Sequence, residues 1–381
     1  MTFFDELYRT IALPPVRYLT RNDAEAAHDV FVKAMSFASE RPRFVARFGK
    51  PVSHPYLHQT LMDGVEFVNP FGTAAGMDKN ATMYPALFAL TGVGHVEVGG
   101  VTLQPQRGND RPRIVRADAR HLINAMGFPN DGVEAIVRRL SGSLRPAGAL
   151  SVQLAKNKAT NEANAPAEYA MVLRAFANVP GRVPLPDYFT INVSSPNTPG
   201  LRNLQAPEVL ESILRLTTHE LDAQKRPRRR LLIKLAPDIS TSLVDEVVEL
   251  VERYDIGGLV LTNTTTERLI HSRFDDRPGG FSGPTLYRKS SELVMHAASK
   301  LSMDRVLVAC GGINSAERAF EMLQYADLVD AYTALVLEGP RQFRSIAPQV
   351  VQKMQQKGVS SLAELRAPNR PTSTPAKVQK N

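Results

Sequence analysis

Residues 191–202 read Ile-Asn-Val-Ser-Ser-Pro-Asn-Thr-Pro-Gly-Leu-Arg and change abruptly from apolar side chains to amides, hydroxyls, prolines and a glycine. The segment Tyr188 to Val193 is aromatic and β-branched, which predicts a buried strand, and the prolines and glycine after it predict a loop. Asn192, Ser195 and Asn197 are therefore expected at the carboxyl end of this strand. Amides bind the edges of planar ligands, and a hydroxyl can transfer a proton. A hydrogen-bonded turn explains the same residues equally well. The choice between a turn and a ligand site therefore depends on the residues at the other strand ends.

The composition narrows the class of protein. A length of 381 residues allows one large domain or two ordinary ones. The single cysteine, Cys310, excludes an intramolecular disulfide and a multi-cysteine metal site, and it favours a reducing compartment. The eight histidines have no spacing typical of metal ligands, so no metal is expected. We find no apolar run long enough to span a bilayer and no signal peptide.

The chain is basic, with a net charge of +8 and a pI near 9.6. Such a charge fits a nucleic acid, an anionic membrane surface or an anionic ligand as partner. The densest basic runs, Arg226 to Arg230 and Lys377 to Lys380, are better explained as solvated faces.

From residue 65 onward, apolar runs that end in Gly, Asn, Thr or Lys alternate with segments of helical periodicity. The eight runs are Phe71 to Gly76, His95 to Thr102, Leu150 to Ala155, Tyr188 to Ser195, Leu231 to Ala236, Gly258 to Asn263, Arg305 to Gly312 and Leu328 to Thr333. The helical segments include Pro207 to Ala223, Ser240 to Tyr254, Ser290 to Leu301 and Ser315 to Tyr325. Eight strand–helix units predict an α/β fold, a closed (β/α)8 TIM barrel. Catalytic and binding groups of such barrels lie at the carboxyl ends of the strands.

The predicted strand ends carry polar residues and glycines. In chain order they are Ala75, Gly76, Lys79, Gly99, Gly100, Gln153, Asn192, Ser195, Lys234, Thr262, Asn263, Thr264, Gly311, Gly312, Tyr332 and Thr333. Lys79 and Lys234 are expected on opposite sides of one mouth, and buried cations need a negative or electron-accepting partner. The glycines of Gly279 to Gly283 and Cys310 to Gly312 predict a phosphate site beside the last strand, although tight turns also need glycine.

The N-terminal segment is predicted to form two helices, Phe3 to Ile11 and Asp23 to Ser39, with Asn22 or Asp23 as the cap of the second. The pair packs on the barrel as a structural element, or it docks on a membrane with its apolar faces around a tunnel. The residues alone leave both interpretations open.

Three regions result from this division. Residues 1–42 form the N-terminal helical pair, and residues 43–366 form the barrel. Residues 367–381, rich in Pro, Ser, Thr and Lys, are predicted to be a disordered tail.

An ordered set of motifs resembles a known family. The motifs are Asn69 to Lys79 (NPFGTAAGMDK), Gly99 to Gln106, Lys156 to Lys158, Asn192 to Leu204, Lys234 to Asp238, Thr262 to Thr265, Gly279 to Gly283 and Tyr332-Thr333. Together they resemble dihydroorotate dehydrogenase, and more narrowly its class 2 members, which are quinone-dependent and membrane-associated. The resemblance runs in order from about Ala27 to Pro340.

The resemblance implies an FMN-binding barrel that oxidises dihydroorotate to orotate, the redox step of pyrimidine (UMP) synthesis, and passes electrons to ubiquinone. Ser195 matches the base that takes a proton from C5 of dihydroorotate, while a hydride leaves C6 for the flavin. Class 1 members of the family have a cysteine at this position. Phe128 and Thr198 match residues that shield the base and relay its proton.

The resemblance also implies the ligand contacts. Residues that match substrate contacts are Lys79, Asn124, Asn192, Asn197, Asn263 and Thr264. Residues that match FMN contacts are Ala75, Gly76, Lys79, Gly99, Gly100, Gln153, Asn192, Lys234, Thr262, Ser282, Gly283, Gly311, Gly312, Tyr332 and Thr333. Lys234 is expected near the pyrimidine edge of the flavin, where a cation stabilises negative charge.

Four positions depart from the family's usual residues. Gly100 replaces a Ser or Thr, Gln153 an Asn, and Ala155 a Gly. Pro129 stands where an Asn is typical. These changes point to a reduced flavin affinity rather than to a lost activity.

The resemblance further implies a quinone tunnel. His28 matches a motif of the helices around it, and Arg116 and Tyr332 match its inner end. On this interpretation the helical pair docks on a membrane, and anionic head groups explain part of the positive charge. The expected location is peripheral, on the mitochondrial inner membrane of a eukaryote or the cytoplasmic side of a bacterial cell membrane. A monomer without a nucleic-acid partner is expected.

Two other functions remain as alternatives. The first is an FMN-barrel reductase of the tRNA-dihydrouridine synthase type, which would use the basic charge on phosphates. Such enzymes use an active-site cysteine and usually add an RNA-binding domain, and neither is recognisable in this sequence. The second is a barrel that binds flavin without turnover, for which a serine base would have no purpose.

Overall fold

A closed barrel of eight parallel strands forms the centre of the computed structural model. The structure describes residues 18, 20, 23–41, 43, 45, 46, 50–142, 148–177 and 186–372. The barrel strands are β3 (Phe71–Asp78), β4 (His95–Val101), β7 (Ala149–Leu154), β8 (Tyr188–Asn192), β9 (Leu231–Leu235), β10 (Gly258–Leu261), β12 (Val306–Cys310) and β13 (Leu328–Ala331). They are hydrogen-bonded in chain order, and β13 pairs with β3 to close the ring. The predicted barrel is confirmed, and all eight predicted runs become strands whose ends differ by at most three residues.

Helices cover the outside of the barrel. Those of the described chain are α1 (Ala24–Ser39), α2 (Tyr84–Thr91), α3 (Val133–Ser141), α4 (Ala165–Arg174), α5 (Pro207–Ala223), α6 (Thr241–Arg253), α7 (Leu286–Ala298), α8 (Ala316–Leu323), α9 (Thr333–Leu337), α10 (Gln342–Lys357) and α11 (Leu362–Arg366). Helix α6 illustrates how they form, since Ser240 caps its first turn and Val244, Val247, Val248 and Val251 recur on one buried face. Burial of such faces against the strands builds the main hydrophobic core.

In the described part of the chain, five further strands lie outside the barrel. Strands β1 (Gln59–Leu61) and β2 (Val65–Phe67) form a hairpin. Strands β5 (Ile114–Arg116), β6 (Leu122–Asn124) and β11 (Gly280–Ser282) form an antiparallel sheet. Part of the glycine-rich segment Gly279 to Gly283 therefore forms a strand of this sheet, which the sequence did not predict. This sheet carries Asn124 and Ser282, two of the candidate ligand contacts.

Helix α1 confirms the second predicted N-terminal helix. The Asp23 carboxylate caps it by accepting hydrogen bonds from the backbone N–H groups of Glu25 and Ala26 at 2.8 and 3.1 Å. Buried Glu25 forms an ion pair with Arg113 at 2.6 Å, which attaches the helix to the barrel. The other predicted helix, Phe3 to Ile11, lies outside the described residues. Among the described helices, none combines the length and apolarity needed to cross a bilayer.

The predicted disordered tail from residue 367 is wrong for its first residues. Ala367–Asn369 form a 3-10 turn, and the buried Arg370 side chain pairs with Asp327 at 2.5 Å. Arg366 pairs with the other oxygen of the same carboxylate at 3.0 Å. These ion pairs hold residues 366–370 against the barrel. The local composition of the sequence does not indicate them, because their partner lies about 40 residues earlier. Residues 373–381 lie outside the described part.

Replacement of Arg370 by alanine should lower the free energy of unfolding by about 1.5–3 kcal/mol, the usual contribution of hydrogen bonds to a charged group. The loss stays in this range because Arg366 still neutralises Asp327. Urea unfolding of the variant measures the change. The exposed Arg138→Ala variant is the control, with an expected change below about 0.5 kcal/mol. Equal stability of the two variants would contradict this role of Arg370.

Candidate active site

The carboxyl ends of the barrel strands surround one cavity, which we call the barrel mouth. Every candidate catalytic, substrate or flavin residue except Thr198 lines it. They are Ala75, Gly76, Lys79, Gly99, Gly100, Asn124, Phe128, Gln153, Asn192, Ser195, Asn197, Lys234, Thr262, Asn263, Thr264, Ser282, Gly283, Gly311, Gly312, Tyr332 and Thr333. Residues far apart in sequence meet here because parallel strands all end at the same side of the barrel.

The loop after β8 places Ser195 in the mouth. Its hydroxyl oxygen accepts a hydrogen bond from the backbone N–H of Asn197 at 3.3 Å, and only 6% of the residue is exposed. Arg202 holds the loop in place, because its guanidinium donates to the carbonyl oxygens of Ser194 at 3.2 Å and Thr264 at 2.9 Å. The Asp238 carboxylate pairs with the same guanidinium at 2.8 Å. Arg202 belongs to the motif Asn192 to Leu204, but the sequence did not predict this role for it.

Four amides form two linked pairs in the mouth. The Asn197 amide donates to Asn124 Oδ1 at 2.9 Å, and the Asn192 amide donates to Gln153 Oε1 at 2.6 Å. Asn263 donates to the Ser194 hydroxyl at 3.0 Å. These bonds fix the amides without using all of their polar atoms.

Two buried polar atoms of this loop have no hydrogen-bond partner among the described residues. They are Asn197 Oδ1 and the hydroxyl oxygen of Thr198. A buried polar group without a partner costs about 1–3 kcal/mol. Such atoms are retained where a ligand or a transferred proton satisfies them, so the loop fits a polar small molecule.

Charged side chains lie inside the barrel beneath the mouth. Lys234 Nζ is 3.7 Å from the Glu97 carboxylate, and both side chains are buried. His95 Nε2 and Asp330 Oδ1 are 2.6 Å apart. Burial raises the pKa of Glu97, and attraction by Lys234 opposes that rise. The sequence analysis missed these partners, although charged residues within apolar strand runs were a usable signal.

The only cysteine of the chain also lines the mouth. Burial raises the pKa of the Cys310 thiol to about 12. The thiol is therefore protonated at neutral pH and is not a nucleophile.

Lys79 lies between the mouth and helix α1. Its ammonium donates to the Gly76 carbonyl at 2.7 Å and is 3.1 Å from His28 Nε2. Burial and the charge of Arg113 lower the pKa of Lys79 to about 8. Burial and the charge of Lys79 lower the pKa of His28 to about 3, so its imidazole is neutral. Lys79 is therefore a cation at neutral pH, without a neighbouring positive imidazole.

The three residues expected at the quinone tunnel are not grouped around one described cavity. Tyr332 lines the mouth and packs against the apolar cluster of Ile114, Leu122 and Leu337. His28 contacts Lys79 instead, and Arg116 lies on β5 outside the mouth lining.

Residues 56–354 match the family model described as dihydroorotate dehydrogenase. The chain belongs to the dihydroorotate dehydrogenase family. A Natronomonas pharaonis protein named dihydroorotate dehydrogenase (quinone) is 39% identical over 350 residues, which cover 90% of this chain and 94% of that protein. A protein of the same name from Bradyrhizobium sp. (strain ORS 278) is 36% identical over 373 residues, or 95% of each chain.

Solved structures of this family agree with the fold. The ligand-free dihydroorotate dehydrogenase of Eimeria tenella superposes with a TM-score of 0.77 at 28% identity, covering 90% of this chain and 98% of that chain. The complex of the Eimeria tenella enzyme with ferulenol gives a TM-score of 0.76 at 27% identity, covering 92% of this chain and 95% of that chain.

Two of the positions that were predicted to depart from the family pattern, Gly100 and Ala155, are neighbours in space. A Cβ atom at Gly100 would lie 2.9 Å from the methyl group of Ala155 and 2.8 Å from the Phe128 ring. Real Cβ atoms are not found at such distances. The Phe128 ring and the methyl group of Ala155 together occupy the space that a side chain at position 100 would need, so the small residue at position 100 fits the methyl group at position 155.

Replacement of Gly100 by serine should lower the free energy of unfolding by about 1–3 kcal/mol, because it overpacks this wall of the mouth. Adding Ala155→Gly to the same chain should restore part of the loss, because the contact with the Phe128 ring remains, although Ala155→Gly alone is destabilising. A double-mutant cycle from urea unfolding measures the coupling between the two positions. Strictly additive effects would show that the two side chains do not share this space.

Proposed function

We propose that this chain oxidises dihydroorotate to orotate in pyrimidine biosynthesis and uses a quinone as electron acceptor. The observation that carries the proposal is the barrel mouth, where buried Ser195 faces one cavity together with Lys79 and the amides of Asn124, Asn192, Asn197 and Asn263. Relatives named dihydroorotate dehydrogenase (quinone) support both the substrate and the acceptor. We assign residues 43–366 to the catalytic barrel.

We propose FMN as the cofactor, and the residues of the mouth fit it. A Cβ atom at Gly76 would have only the Tyr332 ring within 4 Å, at 3.7 Å, so this wall is open to a ligand. The Ser282 and Thr333 hydroxyls lie 2.8 Å apart beside Gly283, Gly311 and Gly312, where they suit a phosphate. Lys234 is beyond hydrogen-bond distance of Glu97, so its ammonium can still donate to a ring acceptor. These residues would hold FMN, which when bound would supply the acceptor for the hydride and the means of electron transfer to a quinone.

The side chains of the mouth hold and orient the substrate. Lys79 supplies positive charge for the substrate carboxylate, and the unpartnered Asn197 Oδ1 accepts a ring N–H. Asn124, Asn192 and Asn263 bind the remaining edges, with Thr264 beside them. Hydrogen bonds among the amides fix their geometry before the substrate arrives, which reduces the cost of ordering it.

Ser195 Oγ takes the proton from C5 of dihydroorotate. The backbone N–H of Asn197 donates to this oxygen and stabilises negative charge that develops on it. Phe128 excludes water from one side of the mouth. As Ser195 Oγ takes the C5 proton, the proton of its own hydroxyl passes to the hydroxyl of Thr198, which has no hydrogen-bond partner among the described residues and releases its own proton towards solvent.

We propose that the protein binds a membrane surface peripherally and takes ubiquinone from it. Helix α1 exposes Val30 and Phe37, at 47% and 58%, two turns apart on one side of the helix. Lys33 is exposed between them, and the Arg41 guanidinium lies 3.3 Å from the centre of the Phe37 ring. Apolar and basic side chains on one helix surface suit an anionic bilayer.

A quinone tunnel would run from this helix to the mouth. Ala24 of α1 packs on the apolar cluster of Ile114, Leu122 and Leu337, which also contacts Tyr332. We keep Tyr332 and Arg116 as tunnel residues. His28 belongs to the same helix but faces Lys79.

Replacement of Ser195 by alanine should leave FMN bound and slow its reduction by dihydroorotate about 10²–10⁴-fold, the usual effect of losing a positioned base. Anaerobic stopped-flow absorbance of the flavin measures this rate. Ser212→Ala, on the outer helix α5, is the matched control and should react like the wild type. Reduction of the Ser195→Ala variant at the wild-type rate would remove Ser195 from the mechanism.

Replacement of Phe37 by glutamate should weaken binding to anionic vesicles about tenfold or more, because burial of a phenylalanine side chain contributes about 1.5–3 kcal/mol. Reduction of the flavin by dihydroorotate should not change. Co-sedimentation with vesicles and stopped-flow absorbance measure the two properties. Met171→Glu is the matched control, since Met171 is 47% exposed on helix α4 of the barrel. Equal vesicle binding by both variants would contradict the assignment of this surface.

A further inference from the structure

A second cavity of about 540 Å³ lies between helix α1 and the loops at the top of the barrel. We call it the side cavity, and its lining includes His28, Val32, Lys79, Asn80, Gln106 and Arg107. One water needs only about 10–15 Å³ of such space, so a small organic molecule has room. His28, predicted at the tunnel, and Lys79, predicted at the substrate site, both line the side cavity, but neither prediction assigns the cavity a ligand.

The side cavity adjoins the barrel mouth. Lys79, Met126 and Pro129 line both cavities, so these side chains form the wall between them. The Lys79 ammonium is the charged group of this wall, and its hydrogen bonds to Gly76 and His28 involve no carboxylate. A neutral imidazole is a weaker partner for an ammonium group than a carboxylate, so an arriving carboxylate can displace it.

The carboxylates around the side cavity are already engaged. Asp78 accepts hydrogen bonds from the backbone N–H groups of residues 80, 82, 83 and 84. Asp29 pairs with Arg111 at 2.7 Å, and Asp131 pairs with Arg139 at 2.6 Å. Their negative charge is therefore largely compensated within the protein.

The cations of the side cavity are less compensated. Arg113 pairs with Glu25, but neither Lys79 nor Arg107 has an ion pair with any residue in the described part of the chain. Arg107 is exposed at the rim, and Lys79 lies at the inner wall. Two such cations in the lining of one cavity produce a positive potential that attracts an anion.

We propose that the side cavity is the access route of the carboxylate substrate to the barrel mouth, separate from the apolar route of the quinone. This inference rests on the proposed function, because it assigns a path to dihydroorotate. Arg107 attracts the substrate carboxylate at the rim, and Lys79 exchanges His28 for that carboxylate at the wall. His28 is thus a positioning residue that holds Lys79 ready.

Helix α1 serves both routes on this account. Ala24, on its first turn, packs on the apolar cluster next to Tyr332. His28 and Val32, one and two turns further along the same face, line the side cavity. The polar and apolar substrates therefore reach the mouth past different turns of one helix.

The test fills the side cavity with a bulky side chain. Val32→Trp should lower the second-order rate constant for flavin reduction by dihydroorotate about tenfold, whereas the limiting rate at saturation should stay unchanged, since access and not chemistry is obstructed. Reoxidation by a short-chain quinone should also stay unchanged. Ala34→Trp, at an exposed position of the same helix, is the matched control. Equal second-order rate constants for the two variants would overturn the proposal.

A second variant addresses the charge and leaves the packing intact. Arg107→Glu should lower the same second-order rate constant and reduce its dependence on salt concentration, because the attraction at the rim is reversed. Arg138→Glu, on the outer face of helix α3, makes the same charge change away from the cavity and should have little effect. Equal changes of the second-order rate constant in Arg107→Glu and Arg138→Glu would overturn the proposed access route. Failure of dihydroorotate to reduce the wild-type flavin would instead overturn the proposed function itself.

Discussion

Closure of eight parallel strands in chain order is the constraint on which the rest of this structure depends. A parallel barrel directs every strand end to one side, so residues from Ala75 to Thr333 meet in one mouth. The hydrophobic effect drives this closure, since apolar faces of the strands are buried under the surrounding helices. No single segment contains a site, and the reacting groups come together only when the whole barrel closes.

Charged pairs then set the chemistry of the mouth. Lys234 Nζ and the Glu97 carboxyl group lie 3.7 Å apart under the mouth, which is close enough for electrostatic attraction and too far for a hydrogen bond. The guanidinium of Arg202 ties the serine loop to the backbone of Thr264. A buried charge is tolerated only with partners of this kind. The same pairs therefore stabilise the fold and leave defined polar atoms available to a ligand.

Much of the fold could be predicted from the sequence, because apolar runs and helical periodicity are local signals. The run Leu231 to Ala236 became a fully buried strand, and the segment Pro207 to Ala223 became a helix with those bounds. The candidate residues of the mouth followed from strand ends and from the family resemblance. Long-range pairs were missed, since nothing near Glu97 in the sequence indicates Lys234 as its partner. The ion pair of buried Arg370 with Asp327 was missed for the same reason, because the polar segment around Arg370 gives no sign of a buried contact.

The central claim is that the mouth joins dihydroorotate oxidation to quinone reduction. An anaerobic titration of the purified wild-type protein with dihydroorotate, followed by ubiquinone, tests it most directly. The account predicts that dihydroorotate bleaches a bound flavin with formation of orotate, and that ubiquinone then restores the oxidised spectrum. A flavin spectrum that dihydroorotate leaves unchanged would contradict it.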